Sequence, residues 1–146
     1  MQKPDYEIIC QPLYDFQRVS NGDVMEFFAV PAYVDGRGLS DTNLYHSNQL
    51  PGYQGFMVTG IGYKFLKSFP DAVRHGTAEL LLGCKGWHWV SFNHGKSYVS
   101  RFDGRGFFIE PGRNFGVRVR FDRDFELTRE CVLGIQLYGS LYRPVA

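Results

Sequence analysis

Across residues 114–122 the side chains alternate without a break. Phe115, Val117, Val119 and Phe121 fall on one side, and Gly116, Arg118, Arg120 and Asp122 on the other. Only a pleated chain sends successive side chains to opposite faces, so this period of two predicts a half-buried antiparallel strand. The pattern recurs over residues 131–142. There Cys131, Leu133, Ile135, Leu137 and Leu141 share one face, and Val132, Gln136, Tyr138, Ser140 and Tyr142 share the other. A strand with one dry face needs a second layer to bury it, so these two segments already imply stacked β-sheets.

Other segments agree. Residues 23–30 read as a strand closed by Pro31, after an Asn21-Gly22 turn signal. In residues 55–65, Met57, Ile61, Tyr63 and Phe65 alternate with Phe56, Val58, Gly60, Gly62 and Lys64. Gly60 and Gly62 mark a bend, a bulge or a close backbone approach. Residues 78–84 and 87–92 flank Lys85-Gly86 as a hairpin or meander. Residues 96–100 and 106–109 are shorter strands, the second followed by the turn Glu110-Pro111-Gly112. Residues 35–52 are rich in Gly, Ser, Asn, Asp and Pro and predict a long loop. Helical signal is confined to residues 69–75, one or two turns with Pro70 at the first helical position. Seven or eight short strands joined by turns predict an all-β antiparallel sandwich, jelly-roll-like, as one domain over residues 1–146. Residues 1–22 form a less well-defined N-terminal segment.

The chain has 146 residues, with 16 Lys+Arg against 15 Asp+Glu and a net charge of +1. That balance gives no bulk attraction to nucleic acid or to an anionic membrane. No apolar run approaches the roughly 18–20 residues of a membrane helix. The start Met1-Gln2-Lys3-Pro4-Asp5-Tyr6-Glu7 lacks the apolar region of a secretory signal. Cys10, Cys84 and Cys131 are odd in number and lack C-x-x-C spacing. They predict neither a disulfide framework nor a zinc site, but a reducing compartment, with Cys84 and Cys131 as small core residues.

Candidate chemistry is sparse. His46, His75, His88 and His94 include no H-x-H pair, and a turn at residues 91–95 separates the last two. Asp122, Asp124 and Glu126 are interleaved with Phe and Arg, which suits an ion-paired strand end better than a glycosidase pair. There is no G-x-S-x-G elbow, phosphate loop or dinucleotide fingerprint. No enzymatic activity, cofactor or metal is therefore expected. Arg101, Arg105, Arg113, Arg118, Arg120, Arg123 and Arg129 lie among six carboxylates, a mixed-charge rim suited to a protein partner rather than to nucleic acid. Trp87 and Trp89 project to one face if their strand is regular. With Tyr98, Phe107, Phe108, Tyr138 and Tyr142 they could serve the core, a subunit interface or a sugar.

The order of the segments carries a resemblance. A polar loop ends in Asn48-Gln49-Leu50-Pro51-Gly52-Tyr53-Gln54-Gly55 and runs into the strand at Phe56. Later come Val90-Ser91-Phe92-Asn93-His94-Gly95-Lys96-Ser97-Tyr98-Val99 and Ile109-Glu110-Pro111-Gly112-Arg113-Asn114-Phe115. The last stretch is Leu133-Gly134-Ile135-Gln136-Leu137-Tyr138-Gly139-Ser140-Leu141-Tyr142-Arg143-Pro144. Over roughly residues 40–146 this resembles the jelly-roll head cement, or decoration, proteins of tailed bacteriophages. The resemblance implies a non-enzymatic virion protein, made in the host cytoplasm and carried on the outer surface of the capsid. There it would bridge neighbouring major capsid subunits as a homodimer or homotrimer, with no direct contact to nucleic acid or membrane. The candidate subunit and capsid contacts are Arg118, Arg120, Tyr138 and Tyr142 on strand faces and Asn43, Tyr45 and His46 in the long loop. Two other readings stand beside it. One is a lectin-like carbohydrate-binding sandwich using Trp87 and Trp89. The other is a single-jelly-roll capsid protein of a tailless virus, for which a long basic N-terminal arm is lacking.

Overall fold

Two long strands organise the chain. In the computed structural model, which describes residues 6–20, 24–83, 85–104, 106–121 and 127–145, β4 (Gly55–Leu66) and β10 (Val132–Pro144) pair antiparallel at the centre of the first sheet. The far edge of β10 is shared by β1 (Tyr6–Cys10) and β2 (Leu13–Arg18). The far edge of β4 is shared by β7 (Ser97–Arg101) and β8 (Phe107–Ile109). The second sheet has the order β3-β9-β5-β6, from β3 (Val24–Phe27), β9 (Phe115–Arg120), β5 (Thr77–Leu82) and β6 (Lys85–Ser91).

Taken as single broken edges, β1/β2 and β7/β8 leave four strand positions per sheet. Their pairings are nested: β1/β2 with β10, β3 with β9, β4 with β7/β8, and β5 with β6. That nesting is the jelly roll, an antiparallel all-β sandwich. Residues 69–75 hold only a 3-10 turn, Asp71–Val73, behind Pro70.

The core lies between the sheets. Phe115, Val117, Val119 and Phe121 face it from β9 and just beyond, and Cys131, Leu133, Ile135, Leu137 and Leu141 from β10 and just before it. The alternation places both sets as the sequence predicts. Phe27, Phe28, Phe56, Phe65, Phe92 and Phe115 are fully buried. Tyr63 and Phe65 meet Phe92 edge-on at 4.8 and 5.2 Å between centroids. Phe27, Phe28, Phe56, Tyr63, Phe65, Phe92, Phe115 and Phe121 are the buried rings of the core, each contributing on the order of 1.5–3 kcal/mol of burial.

Three readings change. In β4 the period breaks: Phe56 and Val58 are buried with Ile61, Tyr63 and Phe65, and Met57 turns outward. The register with β10 jumps from Gly60↔Tyr138 to Val58↔Gly139, so Thr59 is a bulge residue that reverses the parity of the strand. In β6 the register jumps between Leu80 and Leu81. His88 pairs with Leu80 and Gly86 with Leu81, leaving Trp87 as the extra residue. Trp87 and Trp89 therefore do not share a face. Trp87 turns to the edge between the sheets, against Phe107 at 4.2 Å and Phe102 at 5.1 Å, and Trp89 follows Glu79 onto the outer surface. Finally, β3 ends at Phe27, because Phe28 takes a φ of 68° and starts the long loop well before residue 35.

That loop is folded back and pinned. Buried Asp15 accepts from Phe28 N at 2.7 Å and Gln17 Nε2 at 3.0 Å, and is ion-paired with Arg37. Arg37 also donates to Val30 O at 2.6 Å and Phe16 O at 3.0 Å. Asn48 is the loop's second anchor: its carbonyl accepts from Phe115 N at 2.9 Å and its amide donates to Phe115 O at 3.0 Å. The turn read at Asn21-Gly22, Cys84, Arg105, Arg123 and the trio Asp122, Asp124 and Glu126 lie outside the described residues.

Candidate functional site

The outer face of the first sheet is built from glycines covered by rings. A Cβ on Gly134 would lie 2.1 Å from the Phe16 ring, one on Gly55 2.2 Å from Phe108, and one on Gly62 2.8 Å from Tyr138. In each case a large aromatic occupies the space left by a strand glycine, so the face presents rings, set among the polar residues Lys64, Gln136, Arg101 and Ser140. Tyr138 bonds Gln136 through its hydroxyl and has the Arg101 guanidinium 5.9 Å from its ring centre. Tyr142 meets Phe108 edge-on at 5.4 Å. Past it, Tyr6 and Ile8 on β1 are 54% and 57% exposed, and Ile8 stands opposite Tyr142 in register. Tyr6, Phe108, Pro111 and Tyr142 line a shallow apolar hollow over Gly55.

The outer face of the second sheet is polar. Glu26, Arg118, Glu79 and Trp89 stand side by side across its four strands. Arg118 Nε donates to Glu26 Oε1 at 2.6 Å. Arg120 lies in the next row, between Val24 and Thr77. Arg118 and Arg120 therefore share one face of the sandwich, and Tyr138 and Tyr142 share the opposite one. The loop residues divide as well. Asn43 is an internal clip, accepting from Tyr14 N at 3.0 Å and donating to Pro12 O at 2.9 Å. Tyr45 is exposed and stacked with Tyr33 at 6.3 Å, and exposed His46 closes a short bridge with Gln49.

No family model, curated protein or solved structure matches this chain. Among the described residues no three His, Cys, Asp or Glu side chains gather as a metal site requires. No helix among the described residues is long and apolar enough to cross a membrane. Cys131 is buried, and burial raises its thiol pKa, which favours the unreactive protonated form. Cys10 is exposed, with Ser140 Oγ 3.7 Å from its sulfur.

The fold perturbs His88. It lies at the edge between the sheets, its ring 4.5 Å from Phe102 and its Nε2 3.3 Å from Ser100 Oγ. Burial lowers its pKa. The unfolded chain then binds more protons than the folded one between the lowered value and about 6.5. The stability contributed by neutral His88 is complete above that window and is lost as pH falls through it. Urea midpoints should fall from pH 7 to pH 5, and His88→Gln should remove that part of the slope. An unchanged slope in the variant would show that other groups set it.

Sequence reasoning passed over Phe16, Tyr6 and Ile8, which shape the first face as much as Tyr142 does, and left Phe108 among the aromatics it could not divide between core, interface and sugar. Three glycines, Gly55 and Gly62 in the segment 55–65 and Gly134 in the segment 131–142, were the available signal, because a strand glycine needs a neighbour to fill its space.

Proposed function

We propose that this chain is a non-enzymatic structural protein of a virion, a cement protein that binds across neighbouring major capsid subunits on the outer surface of a phage head. The observation that carries this reading is the exposed aromatic cluster at one end of the first sheet, where Tyr6, Ile8, Phe108 and Tyr142 stand together outside the core. Apolar area that the core does not need marks a surface made to be covered. The jelly roll beneath it is an architecture used by viral capsid and lectin domains. It is rigid, and repetition of modest contacts over many copies is enough to hold a shell. The anchored loop supports a further narrowing: contacts come from the sheet face and from Tyr45 at the loop surface, not from a loop that reaches outward.

The test is light-scattering mass on size exclusion, for the protein alone and mixed with empty shells of its cognate major capsid protein. A dimer or trimer that co-elutes with shells is expected. The double variant Ile8→Glu/Tyr142→Glu places charge on the exposed face and should lose co-elution while retaining its melting temperature. A parent protein that stays monomeric and ignores shells refutes the reading.

A further inference from the structure

The polar face of the second sheet carries a trench that the capsid reading does not use. Its near wall is the row Glu26–Arg118–Glu79–Trp89. The next row, Gly116–Leu81–Gly86, is low, because glycines flank the one side chain. A Cβ on Gly116 would lie 3.0 Å from Asn48 Nδ2, and one on Gly86 2.3 Å from Glu79 Oε2, so the Glu79 carboxylate leans over the trench floor. At the β3–β9 end Ser47, Asn48 and Asn114 line one open groove together with Glu26, Leu81 and Arg118, and Glu79 and Trp89 continue the row beyond that groove toward β6. The parts are rigid. Asn48 is held by Phe115, Asn114 accepts from Gln49 Nε2 at 2.7 Å, and Ser47 donates to Ala29 O at 2.6 Å.

We infer that this trench binds a neutral oligosaccharide, with Trp89 as the stacking platform. Trp89 is 57% exposed, standing at the end of the row opposite Glu26. The chain gains nothing for its core by placing a large ring there. An indole face presents a flat apolar surface, which suits the C–H face of a pyranose, and its neighbours in the row offer carboxylate and guanidinium groups to the hydroxyls around it. Amides and a hydroxyl at the β3–β9 end add both donors and acceptors. Two carboxylates against one arginine leave the row net acidic, which disfavours phosphate or sulfate polymers. Three inter-strand spacings separate β3 from β6, about 14 Å, a span for a short chain of sugars rather than a single one. The bulge that sends Trp87 to the edge excludes it from this site, so one tryptophan, not two, is used.

The experiment uses the full chain and named probes: cello-, xylo-, malto- and chito-hexaose in a tryptophan-fluorescence titration, backed by a printed glycan array. At least one neutral glycan should bind and perturb the emission. Trp89→Ala and Glu26→Gln should each weaken binding by at least about tenfold. Trp87→Ala, outside the trench, should leave affinity unchanged. Circular dichroism of each variant, with all three altered residues exposed on the surface, verifies the fold. Binding that survives Trp89→Ala, or no signal from either the four hexaoses or the array, overturns the assignment.

Discussion

Replacing Arg37 with alanine is expected to destabilise the fold by about 3–5 kcal/mol, the cost of stranding a buried charge without its partner. Asp15 is completely buried on β2, and Arg37 reaches it from the long loop. The pair itself contributes little beyond what an apolar pair of similar shape would give, since desolvation offsets attraction. Removing one member is different: Asp15 would keep only the Phe28 amide and the Gln17 side chain as partners. Two backbone carbonyls, Val30 O and Phe16 O, would lose their donor as well. Arg37→Lys should fall in between, because an ammonium supplies the charge but not a planar fork that reaches Asp15 and both carbonyls. Urea unfolding measures the order directly. A loss below about 1 kcal/mol for Arg37→Ala, the range of an exposed pair, would mean that the loop is not held this way.

The same clamp explains where the sequence could be read and where it could not. The strands β9 and β10 were legible because each has one wholly apolar face. β2 was not, because its pattern is inverted: Leu13 and Asp15 point inward, and Tyr14 and Phe16 outward. An aspartate at a core position reads as polar until its arginine, 22 residues later, is brought beside it. β1 failed for another reason. Most of it is exposed and pairs only with the last residues of β10, so burial imposes no alternation on it. Local signals also cannot show a bulge. Glycines at 60 and 62 pointed to one in β4, but the extra residue is Thr59, and nothing in β6 announced the one at Trp87. The candidate contacts suffered most from this. Arg118 and Tyr138 look alike as outward residues of alternating strands, and only the strand order puts them on opposite sides of the sandwich.

Gly139→Ala is expected to destabilise the protein by about 2–5 kcal/mol, combining backbone strain with overpacking at one position. Gly139 lies in the central strand β10 with a φ of 154°, and a Cβ there would lie 1.7 Å from the carbonyl oxygen of Met57. The crowding follows from the bulge. Thr59 bends β4, and the bend drives the Met57 and Val58 carbonyls toward the neighbouring chain segments on either side. On the other flank a Cβ on Gly106 would lie 2.0 Å from Val58 O. Glycine is thus required on both sides of one kink, and backbone rather than a flexible side chain is what an added methyl would meet. The control is Gly112→Ala. Its φ of 77° is also positive, but no heavy atom approaches the site within 4 Å. It should lose only about 1 kcal/mol, the conformational cost alone. Thermal melts of both variants separate the two terms, at roughly 2–4 °C per kcal/mol for a chain of this size. Equal losses would show that β4 can relax around an added methyl and that the kink is soft. A much larger loss at Gly139 would show a rigid kink, and with it a fixed spacing between Phe108 and Tyr142 on the proposed contact face, since both strands that carry them are registered on the residues of β4 just before the bend.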